Sequence, residues 1–250
     1  MGYVIALAGK GGTGKTTVAA LLVRLIKENK LGSVLAIDAD PNSNLAESLG
    51  TESKEDIGKL LDDIAAHPEG VPAGMTKDRF IEYRVQGLIN EEPGFDVLTM
   101  GKPEGPGCYC YVNNVLRNIM AGLIKDYDYV VIDNEAGLEH LSRRTTRSAD
   151  ILLIVSDSTK AGLTCARRIR ELADELKISV SRKALVINRA DTGKNNASTM
   201  GPGIEYLGSI PFDAEIEKLG RNGGSLMTLN EQAISINTLR ELGEKIWQSN

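Results

Sequence analysis

The octet Gly9-Lys10-Gly11-Gly12-Thr13-Gly14-Lys15-Thr16 satisfies the pattern G-x-x-x-x-G-K-[ST]. Residue types at this spacing suit phosphate chemistry. The glycines let the backbone turn its N–H groups onto phosphate oxygens, and the helix that opens at the end of the loop adds the favourable end of its dipole. Gly11, Gly12, Thr13, Gly14 and Thr17 are expected to form the cradle. Lys15 is expected at the β- and γ-phosphates and the Thr16 hydroxyl on Mg²⁺. An acid closing an apolar run is the natural companion of such a loop. Asp133 follows Tyr129-Val130-Val131-Ile132, and its expected role is to hold Mg²⁺ through water. Gly137 can offer its N–H to a γ-phosphate, as in other nucleotide switches. Asp38 and Asp40 close a second run and can orient Mg²⁺ ligands or an attacking water. Asn188 closes a third, in Asn188-Arg189-Ala190-Asp191, where its amide can read a base edge. That spacing also resembles a guanine signature, so GTP stands beside ATP at this point.

Cys108-Tyr109-Cys110 points to a different chemistry. In extended backbone, thiols two residues apart face one side. They suit a soft metal: Zn²⁺, Cu(I), an iron–sulfur cluster, or Ni²⁺ in a square-planar sulfur site. One chain supplies two strong ligands where structural zinc takes four. Two copies meeting on a two-fold axis would supply all four. Burial as small apolar side chains and a strained redox disulfide are the alternatives. The remaining cysteine, Cys165, is expected inside a helix.

Strands and helices must hold these groups. Short apolar runs at Val4–Ala8, Val34–Ile37, Phe95–Leu98, Tyr129–Ile132, Ile151–Val155, Ala184–Ile187 and Tyr206–Ile210 read as strands buried on both faces. Amphipathic stretches at Thr16–Asn29, Val112–Lys125, Ala161–Leu176 and Asn230–Gln248 alternate with them. The alternation predicts an α/β fold: a doubly wound, mostly parallel sheet flanked by helices, with right-handed crossovers. The chain of 250 residues is read as one domain, residues 1–250, with a polar helical insertion at about 52–92 that carries no obvious core strand.

Composition narrows the function classes. With 42% hydrophobic residues a proper core can form, and a net charge of −5 argues against a general nucleic-acid binder. No segment reaches the roughly 18 apolar residues of a membrane span. Three cysteines are too few for a disulfide scaffold, so a reduced, cytoplasmic setting is expected. The arginine clusters 143, 144, 147 and 167, 168, 170 read as solvated helix faces.

Lys10 is not required by the phosphate-loop mechanism. With it the loop resembles the deviant Walker A group of the MinD, ParA and nitrogenase iron-protein class. That resemblance implies that Lys10 reaches across a dimer to the partner's nucleotide, that Asp40 positions the hydrolytic water with Asp38 nearer the metal, and that Asn188 and Arg189, with Ile210-Pro211-Phe212-Asp213, flank an adenine. It favours ATP. The same loop, Asp38 and Asp40, the segment 133–140 and Gly-Cys-Tyr-Cys resemble the CooC/AcsF family. These are ATPases that help insert nickel into carbon monoxide dehydrogenase or acetyl-CoA synthase. The resemblance spans essentially the whole chain, and Cys-x-Cys is what selects this family within the class. It implies ATP hydrolysis with Lys10, Lys15 and Asp40 in catalysis, ATP-promoted homodimerisation, and a nickel or zinc site built by Cys108 and Cys110 of both copies. It further implies a nickel-enzyme client, and no membrane or nucleic-acid partner. A positioning ATPase of the MinD/ParA kind and an iron–sulfur electron-transfer ATPase are the alternatives. His140, near the second switch, could be structural or couple nucleotide to metal. Cys165 lies too far beyond Asp133 to match the iron–sulfur relatives, and the mixed charge of the last helix suits packing of Trp247 on the domain rather than a membrane surface.

Overall fold

A computed structural model describes residues 2–40, 44–52, 55–102, 110–135, 138, 148–190 and 203–247. The side chains of residues 68 and 110–113 lie outside the description. Eight strands form one sheet in the order β3-β4-β2-β5-β1-β6-β7-β8. They are β1 (Tyr3–Ala8), β2 (Val34–Ala39), β3 (Asn90–Glu92), β4 (Phe95–Thr99), β5 (Tyr129–Asn134), β6 (Ser148–Ser156), β7 (Ser179–Ala190) and β8 (Glu205–Pro211). All neighbours pair in parallel except β3 with β4. The helices are α1 (Lys15–Glu28), α2 (Leu45–Leu49), α3 (Ile57–Ala66), α4 (Lys77–Gly87), α5 (Cys110–Leu123), α6 (Lys160–Glu175), α7 (Ala214–Arg221) and α8 (Ile234–Trp247).

The central strand runs are apolar on both faces because both faces are covered; the run at Tyr206–Ile210, expected to be buried on both faces, lies on the edge strand β8, where only Leu207 and Ile210 are buried. Ile5 and Leu7 of β1 point into one core with α1, α2 and α8. Val4, Ala6 and Ala8 point into the other, with α3, α4, α5 and α6. Helix α1 buries every residue from Val18 to Ile26, because it is wedged between the sheet and α8 and has no solvent face. Even Arg24 is buried. Its guanidinium donates to the carbonyls of Leu226 and Leu229 at 2.9 and 2.7 Å and pairs with Glu28 at 2.6 Å. Leu239, Leu242 and Ile246 seat α8 on the same core, with Trp247 packed beside them.

The insertion joins the sheet through α3 and α4, whose Ile57, Leu60, Ile81 and Val85 are buried. It also contributes β3, a strand not anticipated from the sequence. Asn90-Glu91-Glu92 carries no apolar run, and as an antiparallel edge strand it needs none. Among the described residues no helix is long and apolar enough to cross a membrane.

Candidate functional site

Parallel strands present their C-terminal ends on one edge, and the loops leaving β1, β2, β5, β7 and β8 meet there. The loop after β1 is tied to itself: Thr13 donates its N–H and hydroxyl to the Lys10 carbonyl at 3.3 and 2.8 Å. Gly14 caps α1 at φ +88, with no side-chain cap on the first turn and no acid within it. The first N–H groups of the helix therefore face the loop without a competing carboxylate, the arrangement that receives phosphate. Lys15 is buried, and its charge acts directly on Asp133. Lys10 is exposed at the rim.

Strand register sets the acids. Asp133 on β5 lies opposite Leu7 of β1 and Asp38 of β2. Both carboxylates are buried. Burial pushes the Asp38 carboxyl up to about 7, against the N–H of Leu45, with Asp133 raising it further. Burial likewise raises Asp133 to about 6, offset in part by the Thr16 hydroxyl and Lys15. Thr16 Oγ1 donates to Asp133 Oδ2 at 2.6 Å. The second oxygen, Oδ1, is buried and has no hydrogen-bond partner among the described residues. A buried carboxylate oxygen without a donor, beside a threonine hydroxyl and a lysine, fits Mg²⁺ or water bound to it.

Asp38 does something else as well. Its Oδ1 accepts from the Asp40 N–H at 3.1 Å and its Oδ2 from the Leu45 N–H at 2.8 Å. It organises the backbone on either side of residues 41–43. Asp40 is partly exposed at the head of that segment.

Beside the phosphate loop, at the ends of β7 and β8, lies a cavity of about 390 Å³. It brings together Thr17, Asn188, Arg189, Pro211, Phe212 and Asp213, all expected from the sequence. It adds Ile216, Glu217, Gly220 and Arg221 from α7, which were not. Phe212 leaves 54% of its surface exposed at the mouth. Asp213 caps α7 through the Glu215 N–H and accepts from the Ser235 N–H and hydroxyl at 3.2 and 2.6 Å. Burial works against the Asp213 charge, but these donors outweigh it and hold the carboxyl below its ordinary range. Asp213 thus shapes the pocket by fixing α7 to α8.

Asn188 joins the two halves. It lines the cavity beside α7, and its Nδ2 donates to the Thr13 carbonyl at 2.8 Å. A Cβ at Gly14 would lie 2.3 Å from that nitrogen, so the glycine serves both its left-handed φ and this close approach. Asn134 was not anticipated from the sequence. Its buried amide donates to the Leu7 carbonyl at 2.8 Å, directly below the phosphate loop. The available signal was a polar residue following the acid at the end of an apolar strand.

Gly137, Cys108, His140 and the 143, 144, 147 arginines lie outside the described residues. Cys110 opens α5, with its side chain outside the description. Among the described residues no three or more His, Cys, Asp or Glu side chains group as metal ligands. Cys165 sits within α6, partly buried against the core. Arg167 and Arg168 on the same helix are exposed, and Arg170 pairs with Glu171.

Residues 4–226 match the family model of the CobQ/CobB/MinD/ParA nucleotide binding domain. An uncharacterized ATP-binding protein of Methanocaldococcus jannaschii is 40% identical over 97% of this chain and 98% of its own length. The carbon monoxide dehydrogenase accessory protein CooC of Rhodospirillum rubrum is 30% identical over 90% of each chain. The septum site-determining protein MinD of Pyrococcus horikoshii, solved with Mg-ADP, superposes with a TM-score of 0.72 at 19% identity, over 99% of this chain and 97% of that one.

Proposed function

The chain is an ATPase of the CobQ/CobB/MinD/ParA nucleotide-binding family, and from that premise we propose that it is a dimerising metallochaperone that carries nickel on Cys108 and Cys110 to a carbon monoxide dehydrogenase or acetyl-CoA synthase. The observation that carries the proposal is Cys-x-Cys leading into α5, on the connection that leaves β4. Likeness to a carbon monoxide dehydrogenase accessory protein over nine-tenths of both chains supports it. Residues 1–250 act as one P-loop domain with a helical insertion at about 52–92, working in the cytoplasm as a homodimer, without membrane or nucleic acid. Zinc is the alternative cargo.

In this mechanism the adenine enters the cavity beneath Phe212, read by Asn188. Lys15 and the N–H groups of residues 11–17 hold the phosphates. Thr16 and Asp133 would hold Mg²⁺, which would supply charge that neutralises the phosphates. Asp40 aligns the attacking water, and the Gly137 N–H senses the γ-phosphate. Lys10 reaches the partner's nucleotide and closes the dimer, which brings four thiolates together. By linkage, metal then favours the ATP-bound dimer as much as ATP favours metal binding.

The test is reduced protein equilibrated with Ni²⁺, with and without a slowly hydrolysed ATP analogue, followed by size exclusion and elemental analysis. The expected result is one nickel per dimer, lost in the Cys108→Ala/Cys110→Ala double variant while hydrolysis without nickel continues. A nucleotide-dependent dimer without bound metal would reject the metallochaperone reading and move the function to positioning or partner control.

A further inference from the structure

The insertion and the segment that leads to the cysteines meet at one place. The first turn of α3 runs directly over the exit of β4. The Gly58 N–H donates to the Met100 carbonyl at 2.9 Å. A Cβ at Gly58 would lie 2.6, 2.7 and 2.8 Å from the Lys102 carbonyl carbon, nitrogen and oxygen. No side chain fits there, so backbone rests on backbone. One residue before Lys102, Gly101 has φ +55, and a Cβ on it would lie 2.2 Å from Asp56 Oδ1. That same oxygen caps α3 by accepting the Lys59 N–H at 2.8 Å. Three consecutive residues, Met100 to Lys102, are therefore gripped by one helical turn of the insertion.

The other side of the grip is the nucleotide site. The Met100 N–H donates to the Asp38 carbonyl at 2.8 Å. The Asp38 side chain meanwhile holds the backbone N–H groups of Asp40 and Leu45. One buried residue thus fixes the segment at Asp40 with its carboxylate and the exit of β4 with its main chain. Beyond Lys102, Cys108 and Cys110 follow within eight residues.

We infer that Asp56, Gly58 and Gly101 form a clamp through which the helical insertion holds residues 100–102 at the exit of β4 and ties them, through Asp38, to the nucleotide site. The inference rests on the proposed metal role of Cys108 and Cys110 for its cargo, but not for its mechanics. Coupling between two sites can be carried by a contiguous element that both bias. Residues 38, 100–102 and 56–58 supply one through main-chain hydrogen bonds, a close backbone approach at Gly58 and the Asp56 carboxylate against Gly101. The insertion thereby acquires a mechanical role, in which Asp56, Gly58 and Gly101 are positioning residues that touch neither nucleotide nor metal.

The experiment uses full-length reduced protein, loaded with ADP or with a slowly hydrolysed ATP analogue, and has two readouts. The first is amide hydrogen exchange at residues 57–60 and 100–102. The second is Ni²⁺ affinity, followed by the thiolate-to-nickel absorption. In the wild type, exchange at both segments should differ at least about fivefold between nucleotides, and nickel affinity by about tenfold, within the usual range for coupled sites. In Gly58→Ala both ratios should fall toward one, with nucleotide affinity within about twofold of wild type, since the change touches no nucleotide contact. Gly87→Ala, in α4 of the same insertion, adds a Cβ that meets nothing within 4 Å and should keep both ratios. Asp56→Ala relaxes the clamp rather than crowding it and gives the same readout should Gly58→Ala not fold. Wild-type exchange at 100–102 that ignores the nucleotide, or a Gly58→Ala protein that keeps both ratios, overturns the clamp. Nucleotide-dependent exchange without nickel binding would reject the metal proposal and leave the clamp standing.

Discussion

The two halves of the nucleotide site are built on opposite principles. The phosphate half is buried, dense in charge and held by the central strands: Lys15, Asp38 and Asp133 are at most 6% exposed. The base half is open and lies between β7, β8 and a helix, α7, that buries none of its own residues. Among the described residues, the site's buried charges all lie in the phosphate half, where each interaction is worth more, whereas Arg189, Glu217 and Arg221 of the open half face solvent. The open half offers the exposed Phe212 with Pro211 and Ile216, which on the proposed reading admit and release a flat ring. On the proposed reading, the contrast weights binding energy toward the phosphates and leaves selectivity and exchange to the base half.

Substitutions can break or sharpen that contrast. Lys15→Ala removes a buried charge beside the transferred phosphate, and hydrolysis should fall by about 10²–10³ or more. Phosphate release assays would show it, and a loss under about tenfold would put the weight elsewhere. Gly14→Ala combines a left-handed φ of +88 with a 2.3 Å clash against Asn188. Nucleotide affinity should drop at least about tenfold by calorimetry, since left-handed backbone alone costs about 1–2 kcal/mol.

Proton linkage comes next in size. Asp38 and Asp133 have folded values of about 7 and about 6 against 3.8 when unperturbed. The folded chain therefore binds more protons than the unfolded one across that window, so its stability falls as pH rises through it. The thermal midpoint without nucleotide should decrease from about pH 5 to about pH 8, in the direction linkage requires. Mg²⁺-nucleotide should reverse the trend, because the ion takes the deprotonated carboxylate. A midpoint that rises over this range would contradict the buried-acid picture.

The base half should give smaller numbers. Phe212→Ala removes an exposed stacking face, and nucleotide affinity should weaken by about two- to tenfold, from the roughly 0.5–1.5 kcal/mol of an aromatic pair. If Phe212→Ala matched Lys15→Ala, the contrast between the halves would collapse.

How far the sequence made this legible follows the same division. The seven apolar strand runs, the phosphate loop and the acids at the ends of β2 and β5 were readable, because burial leaves a mark in residue type, fully in the central strands and more weakly in the edge strand β8. α7 and β3 were not. α7 buries none of its residues, and β3 is a three-residue edge strand without apolar side chains. Pro211, Phe212 and Asp213 were expected together through family resemblance and line one cavity, but the ties of Asp213 to Ser235 and of Asn188 to the Thr13 carbonyl join residues 22 and 175 positions apart. No local pattern encodes such pairs. Gly58 and Gly101 were equally silent, since a glycine that admits a backbone looks like any other glycine until its neighbour is known.

The place of β1 has a consequence in time. It pairs with β5 on one side and β6 on the other, and both cores close over it. Its amides should exchange with solvent only when the whole chain opens, whereas those of the edge strands β3 and β8 exchange through local fraying. The phosphate loop thus grows out of the slowest-opening part of the molecule. Nucleotide can come and go many times within one unfolding lifetime, and the cradle that receives it does not have to be rebuilt between turnovers.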